Sequence, residues 1–144
     1  MTTQEKDRPN ESRMGQMNDQ IAVVTGAGRG IGKAIALRFA EEGANVVCLS
    51  RTESNAESAA EAVRAKGRRA WAFSVDISDT LETQEAAKAI LKETGRVDIL
   101  VNNAGVTRDD LLMRMSEEAW DTVLDTNLKG AFSMCKAFTR TYGL

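Results

Sequence analysis

Apolar and polar positions along the chain fall into two alternating patterns. Short, nearly continuous apolar runs occur at Ile21-Ala22-Val23-Val24, at Asn45-Val46-Val47-Cys48-Leu49-Ser50, over 70–75 and over 97–101. Runs of this kind suit strands buried on both faces of a parallel sheet, because helices cover both sides. Between them apolar residues recur every three or four positions. Ile31, Ile35 and Phe39 mark a first helix running to about Glu42, an Ala- and Glu-rich stretch over 54–66 a second, and Asp79 with Glu82 the capping box of a third. Gly43, Gly67 and Gly95 stand just past these helices, where a left-handed cap is wanted. After a loop over 106–115, Ser116, Glu117 and Glu118 signal a long last helix. Strand and helix thus alternate four times. The pattern predicts one doubly wound α/β unit with a parallel sheet of order 3-2-1-4.

The junction of the first strand and helix is Thr25-Gly26-Ala27-Gly28-Arg29-Gly30-Ile31-Gly32. A turn of this composition aims unpaired backbone N–H groups and the positive helix end at one point, and residues without a Cβ let a pyrophosphate approach it. That suits a dinucleotide and a Rossmann-type sheet; the plainer reading is a glycine-rich strand-to-helix turn. The spacing is T-G-x-x-x-G-x-G rather than G-x-G-x-x-G, since Ile31 falls where the third glycine would stand.

Composition narrows the chemistry. With 144 residues, 42% hydrophobic and a net charge of -2, the chain makes one soluble domain at most. Its basic residues are scattered among acids, which does not favour nucleic acid, and no apolar run approaches the ~20 residues that span a bilayer. Residues 1–18 carry the single proline and no apolar periodicity, and read as a mobile tail without a secretory signal, with Met17 a possible start; residues 19–144 form the dinucleotide-binding part. A cytoplasmic location is the expectation. Histidine is absent, which removes Ser-His-Asp triads and His-based zinc sites. Cys48 and Cys135 sit in apolar surroundings far apart in sequence and are expected to be buried free thiols, with no metal site.

Ligands of open α/β sheets lie across the carboxyl ends of the strands. After the second strand comes Ser50-Arg51, where an NAD-binding chain would carry an Asp or Glu; a neutral residue and a guanidinium suit a 2′-phosphate, and Arg29 adds a second positive group nearby. The plainer reading of both arginines is as ordinary solvated loop residues. Asp76-Ile77 ends the third strand, where a carboxylate also suits a helix N-terminus. Asn102-Asn103-Ala104-Gly105 ends the fourth, with small residues that let backbone run close to a ribose or nicotinamide. In the last helix Trp120, Val123, Leu124, Ala131, Met134, Cys135 and Phe138 follow a 3.6-residue period with Asn127 in mid-stripe. A buried amide there needs a fixed partner, either a neighbouring backbone or a functional group.

The glycine turn and N-N-A-G at this spacing resemble the short-chain dehydrogenase/reductase family. The segment Thr107-Arg108-Asp109-Asp110-Leu111-Leu112-Met113-Arg114-Met115 is similar to that of its 3-oxoacyl-[acyl-carrier-protein] reductase branch; otherwise it is a loop whose Met/Leu patch packs on the last helix. The likeness extends from about Gln20 to Phe138. It implies an NADPH-dependent reductase of acyl-carrier-protein-linked 3-oxoacyl substrates in fatty acid biosynthesis, commonly tetrameric. Thr25, Gly26, Gly28, Arg29, Gly30, Ile31, Gly32, Ser50, Arg51, Asp76, Ile77, Asn103, Ala104 and Gly105 are then cofactor-binding. Asp76 meets the adenine amino group, and Asn127 holds a water in a proton relay with a Ser, a Tyr and a Lys. The family's Ser and Tyr-x-x-x-Lys have no counterpart in these 144 residues, and Tyr142 is followed only by Gly143 and Leu144. Two readings stand: the N-terminal portion of such a reductase, truncated after about four strands and inactive alone, or a non-catalytic NADP-binding or pairing module.

Overall fold

The computed structural model describes residues 15–139; Tyr142 and most of the expected N-terminal tail lie outside them. Four strands, β1 (Ile21–Thr25), β2 (Asn45–Ser50), β3 (Ala70–Ser74) and β4 (Ile99–Val101), form one parallel sheet of order β3-β2-β1-β4. Every side chain of β1 is buried, because β2 and β4 flank it and helices cover both faces. Helices α1 (Gly30–Glu41) and α2 (Glu53–Ala65) pack on one face through Ala36, Ala40, Ala59, Ala60 and Val63, against Val24, Val46 and Cys48. On the other face α3 (Thr80–Thr94) and α5 (Gly130–Thr139) set Ala87, Ile90, Met134 and Phe138 against Ile21, Val23, Val47 and Leu49. Alternation along each strand therefore divides the core into two layers.

Gly43, Gly67 and Gly95 all take positive φ just beyond their helices, and Gly95 is itself the left-handed C-cap of α3. Half of the expected capping box forms. Asp79 Oδ1 accepts from Glu82 N–H at 3.0 Å, but the Glu82 carboxylate accepts from the backbone of Asp76, not of Asp79. Strand β4 is shorter than the run 97–101, because Asp98 is engaged otherwise. Its backbone N–H donates to Ile21 O at 2.8 Å while its carboxylate accepts from Ile21 N–H at 2.8 Å, so a side chain closes the start of the ladder. Residues 15–18, expected in the tail, form a turn against the end of α1, where Met17 N–H donates to Glu42 O at 3.0 Å.

The last helical stretch departs most from expectation. It starts at the Ser116 cap as α4 (Glu117–Leu124), widens into a π turn (Asp125–Lys129) and continues as α5. Because a π turn holds more residues than the 3.6 of an α turn, it shifts the helix phase. Trp120 and Leu124 consequently face outward, and the inward face is Thr126, Gly130, Ser133, Met134 and Phe138. Asn127 is exposed rather than buried in mid-stripe, for the same reason. Cys135 is exposed too, beside the half-buried β4, whereas Cys48 is buried as expected. Leu111, Leu112 and Met113 are exposed and do not pack as a patch on the last helix.

Candidate nucleotide-binding site

The ends of β1, β2, β3 and β4 open onto one cleft of about 770 Å³. Its floor is fixed by Thr25. The buried Thr25 hydroxyl donates to Val101 O at 3.3 Å and accepts the backbone N–H groups of Asn103 and Ala104 at 3.0 and 2.9 Å. One side chain thus locks the carboxyl end of β4 to that of β1. Asn103 adds a second tie, its Nδ2 donating to Gly26 O at 3.4 Å.

This closeness explains the glycines. A Cβ on Gly32 would stand 2.0 Å from Gly26 O, so only glycine lets the first turn of α1 lie on the strand end. Gly26 has φ 64° and would bring a Cβ to 2.9 Å from Ala104 Cα. Beyond them Arg29 stands at the N-cap of α1 without a side-chain cap, and the first turn of the helix carries no acid. The free N–H groups and the positive helix end therefore point into the cleft, the electrostatics that a phosphate needs.

Of the sequence-expected residues, Thr25, Gly26, Gly28, Arg29, Gly30, Ile31, Ser50, Arg51, Ile77, Asn103, Ala104 and Gly105 line the cleft. Gly32, Asp76 and Asn127 do not. Gly32 lies beneath it as packing. Asp76 turns its Oδ1 to Ser78, accepting from the hydroxyl at 2.6 Å and the N–H at 3.0 Å. The Ser78 hydroxyl lowers its pKa most; burial acts against this, and the Ser78 N–H and nearby Arg51 add to the lowering. Asn127 is clamped to the loop after β4, its Oδ1 accepting from Val106 N–H at 2.7 Å and its Nδ2 donating to Val106 O at 3.0 Å. Of the two tasks open to this amide, its side chain takes the backbone tie, and it stands against Gly105, where a Cβ would come 3.1 Å from Oδ1.

Leu49, Thr52, Asn55, Val75, Val106 and Thr126 also line the cleft and were missed from the sequence. Asn55 lies on the first turn of α2, so close to Gly28 that a Cβ there would meet its own Cβ at 2.6 Å. Polarity near the N-terminus of α2 was a usable signal for Thr52 and Asn55; nothing local marks the other four. Two guanidiniums, of Arg29 and Arg51, and no carboxylate line the cleft. Neither arginine forms an ion pair with a described residue. Ser50 Oγ accepts from Thr52 N–H at 3.3 Å and Ser74 Oγ donates to Arg51 O at 3.0 Å, which hold the turn that carries Arg51.

Set beside known proteins, residues 20–142 match the family model described as short chain dehydrogenase. The chain belongs to the short-chain dehydrogenase family. Among curated members it is similar to 3-oxoacyl-[acyl-carrier-protein] reductase FabG of Staphylococcus epidermidis, with 48% identity over 122 residues, 84% of this chain and 50% of the relative. To the FabG of Escherichia coli K12 it is 42% identical over 121 residues, 84% of this chain and 48% of that one. A crystal structure of NAD+-bound xylitol dehydrogenase superposes with a TM-score of 0.84 at 32% identity, covering 87% of this chain and 48% of its own. This short-chain dehydrogenase therefore spans about half the length of the relatives it matches. No helix among its described residues is long and apolar enough to cross a membrane, and they hold no cluster of metal-ligating side chains.

Proposed function

We propose that the chain is the N-terminal portion of an NADPH-dependent reductase of 3-oxoacyl groups carried on acyl-carrier protein, acting in the cytoplasm in fatty acid biosynthesis. The observation that carries the cofactor choice is the cleft lined by Arg29 and Arg51 without any carboxylate. A ribose 2′-hydroxyl asks for an acceptor, whereas a 2′-phosphate asks for forked cationic donors. The substrate class is supported by the FabG relatives and by the segment 107–115.

The residues present fit a dinucleotide. The cradle at Gly26, Gly28 and Gly32 has no room for side chains, and the start of α1 offers unpaired N–H groups to a pyrophosphate. Ile77 and Val75 supply apolar wall where an adenine ring would lie, and Asp76 Oδ2 is the acceptor left for its amino edge, since Oδ1 is held by Ser78 and the backbone N–H by Glu82. Asn103, Ala104 and Gly105 bring backbone to the opposite end, held by Thr25. When bound, the nicotinamide supplies a hydride to the substrate ketone. Asn127 positions the loop after β4 through Val106, and the remaining lone pair of its Oδ1 is available to a relay water. The proton donor belongs to residues outside these 144, since no Tyr-x-x-x-Lys occurs in them. Binding without turnover is the expected behaviour of this chain alone.

The test is reduction of a 3-oxoacyl thioester, followed by NADPH absorbance. The chain alone should not exceed background, and extending it with the downstream coding sequence should restore turnover. Turnover by the chain alone would contradict its assignment as an inactive portion. An extended protein that binds NADPH but leaves the thioester untouched would refute the substrate. A homo-oligomer is part of the same reading.

A further inference from the structure

Asn55 is the third residue of α2, in a first turn whose other members, Glu53 and Ser54, are exposed to solvent. Of the three it alone is half-buried, and it alone lines the cleft. A longer Glu or Gln side chain at this helix position often reaches back to the N-cap N–H. Here the Thr52 N–H donates to Ser50 Oγ at 3.3 Å instead, and no described residue hydrogen-bonds the Asn55 amide. A polar side chain drawn toward a cleft and engaged by no protein partner is available to whatever fills that cleft. Its surroundings say which part of a dinucleotide that is. A Cβ on Gly28 would stand 2.6 Å from Asn55 Cβ and 2.9 Å from Ser50 Oγ, so α2 and the end of β2 close over the glycine turn from two sides. Arg29 follows Gly28 and Arg51 follows Ser50. Both arginines are therefore chain neighbours of the residues packed around Asn55, and they line the same cleft.

We propose that Asn55 is a specificity-determining residue for the 2′-phosphate of NADPH: Arg29 and Arg51 attract that group, and the Asn55 amide, donating from α2, fixes where it rests. The inference rests on the NADPH reading of the proposed function and adds a side chain that neither the glycine turn nor the strand end supplies. An amide at this point discriminates by charge. Its Nδ2 offers two N–H donors to a phosphate. A carboxylate of the same shape would accept from a ribose 2′-hydroxyl and repel the phosphate. The acid of the same turn, Glu53, does not line the cleft, so it does not oppose the amide there.

Calorimetric titration of Asn55 variants of the 144-residue chain with NADPH and with NADH tests it. Asn55→Ala should weaken NADPH binding by about tenfold and leave NADH within about twofold of the original. Asn55→Asp should weaken NADPH by about 100-fold, because attraction becomes repulsion, while NADH binds no worse. An acid in the first turn of a helix is favourable, so Asn55→Asp should melt no lower than the original, and its loss of NADPH is then not a loss of fold. Equal weakening of both nucleotides in Asn55→Ala would make the amide structural and overturn the proposal. Retention of the original selectivity by Asn55→Asp would overturn it as well. Where the unaltered chain prefers NADPH, such results refute the role of Asn55 alone; an unaltered chain that binds the two nucleotides equally, or neither, refutes the NADPH reading and this inference with it.

Discussion

Thr25 Oγ1 accepts the backbone N–H of Ala104 at 2.9 Å, which joins the carboxyl ends of the first and fourth strands through one side chain. The same oxygen accepts from Asn103 N–H and donates to Val101 O, so the Thr at the head of the glycine turn builds the cleft floor with its hydroxyl already engaged. Thr25→Val keeps the volume and removes the acceptor. Stranding two part-buried N–H groups costs about 1–3 kcal/mol each. Urea unfolding should show Thr25→Val less stable by about 2–6 kcal/mol, with Thr25→Ser close to the original. A Val variant of unchanged midpoint would mean that the ties are dispensable.

Two glycines of the turn should respond to very different degrees. Gly32→Ala places a methyl 2.0 Å from Gly26 O, a backbone atom that cannot step aside, so the α1–β1 packing must break. Gly30→Ala meets nothing within 4 Å and faces only the strain of φ 56°, about 1–2 kcal/mol. Thermal melts followed by circular dichroism should show Gly30→Ala folded with a modestly lower midpoint. Gly32→Ala should lack a cooperative transition. Equal melting of the two would contradict the geometry.

The strand ends and the glycine turn were legible because their chemistry is local: glycine spacing, a neutral residue before Arg51, small residues after β4. The sheet order followed from alternating strand and helix patterns. What escaped was set by tertiary contact. Thr126 reaches the cleft from a helical stretch whose own sequence pattern does not point there, and Val106 from the loop after β4. The π turn escaped because a 3.6-residue count carries Trp120 and Phe138 onto one face, and a phase shift at Asp125–Lys129 undoes that count. The exposure of Asn127 and Cys135 follows from the same shift and from the half-buried β4. Asp76 showed its type but not its orientation, which Ser78 decides.

Asp98 links folding to pH. Burial pushes its carboxyl up, but the Ile21 N–H and the Arg96 guanidinium outweigh that and hold it below the usual carboxylate range. A carboxylate with a depressed folded pKa contributes stability that is complete above its unfolded pKa of about 3.9 and is lost as pH falls through the folded value. The melting temperature should therefore drop below about pH 4. In Asp98→Asn it should start lower at neutral pH and lose part of that acid dependence. Parallel curves for the two proteins would rule out this linkage.

The cysteines should divide cleanly. Burial pushes the Cys48 thiol up to about 12, Arg64 opposing this and Glu57 adding to it, so it is both inaccessible and protonated. Cys135 is exposed, and its Sγ accepts from Asn102 Nδ2 at 3.4 Å. Titration with a chromogenic disulfide should find one reactive thiol in the native chain and both after denaturation. Cys135→Ser should abolish the native reaction, and persistence of that reaction would place the reactive thiol at Cys48.

Calorimetric titration of this chain with NADPH and with NADH tests the central claim, that Arg29 and Arg51 make the cleft a site for a 2′-phosphate. Each charge-assisted contact of about 1.5–3 kcal/mol corresponds to roughly 10- to 100-fold in affinity. NADPH should bind at least about tenfold more tightly, and Arg29→Ala with Arg51→Ala should remove that preference while leaving NADH binding nearly unchanged. Equal affinities of the unaltered chain for the two nucleotides would contradict the account.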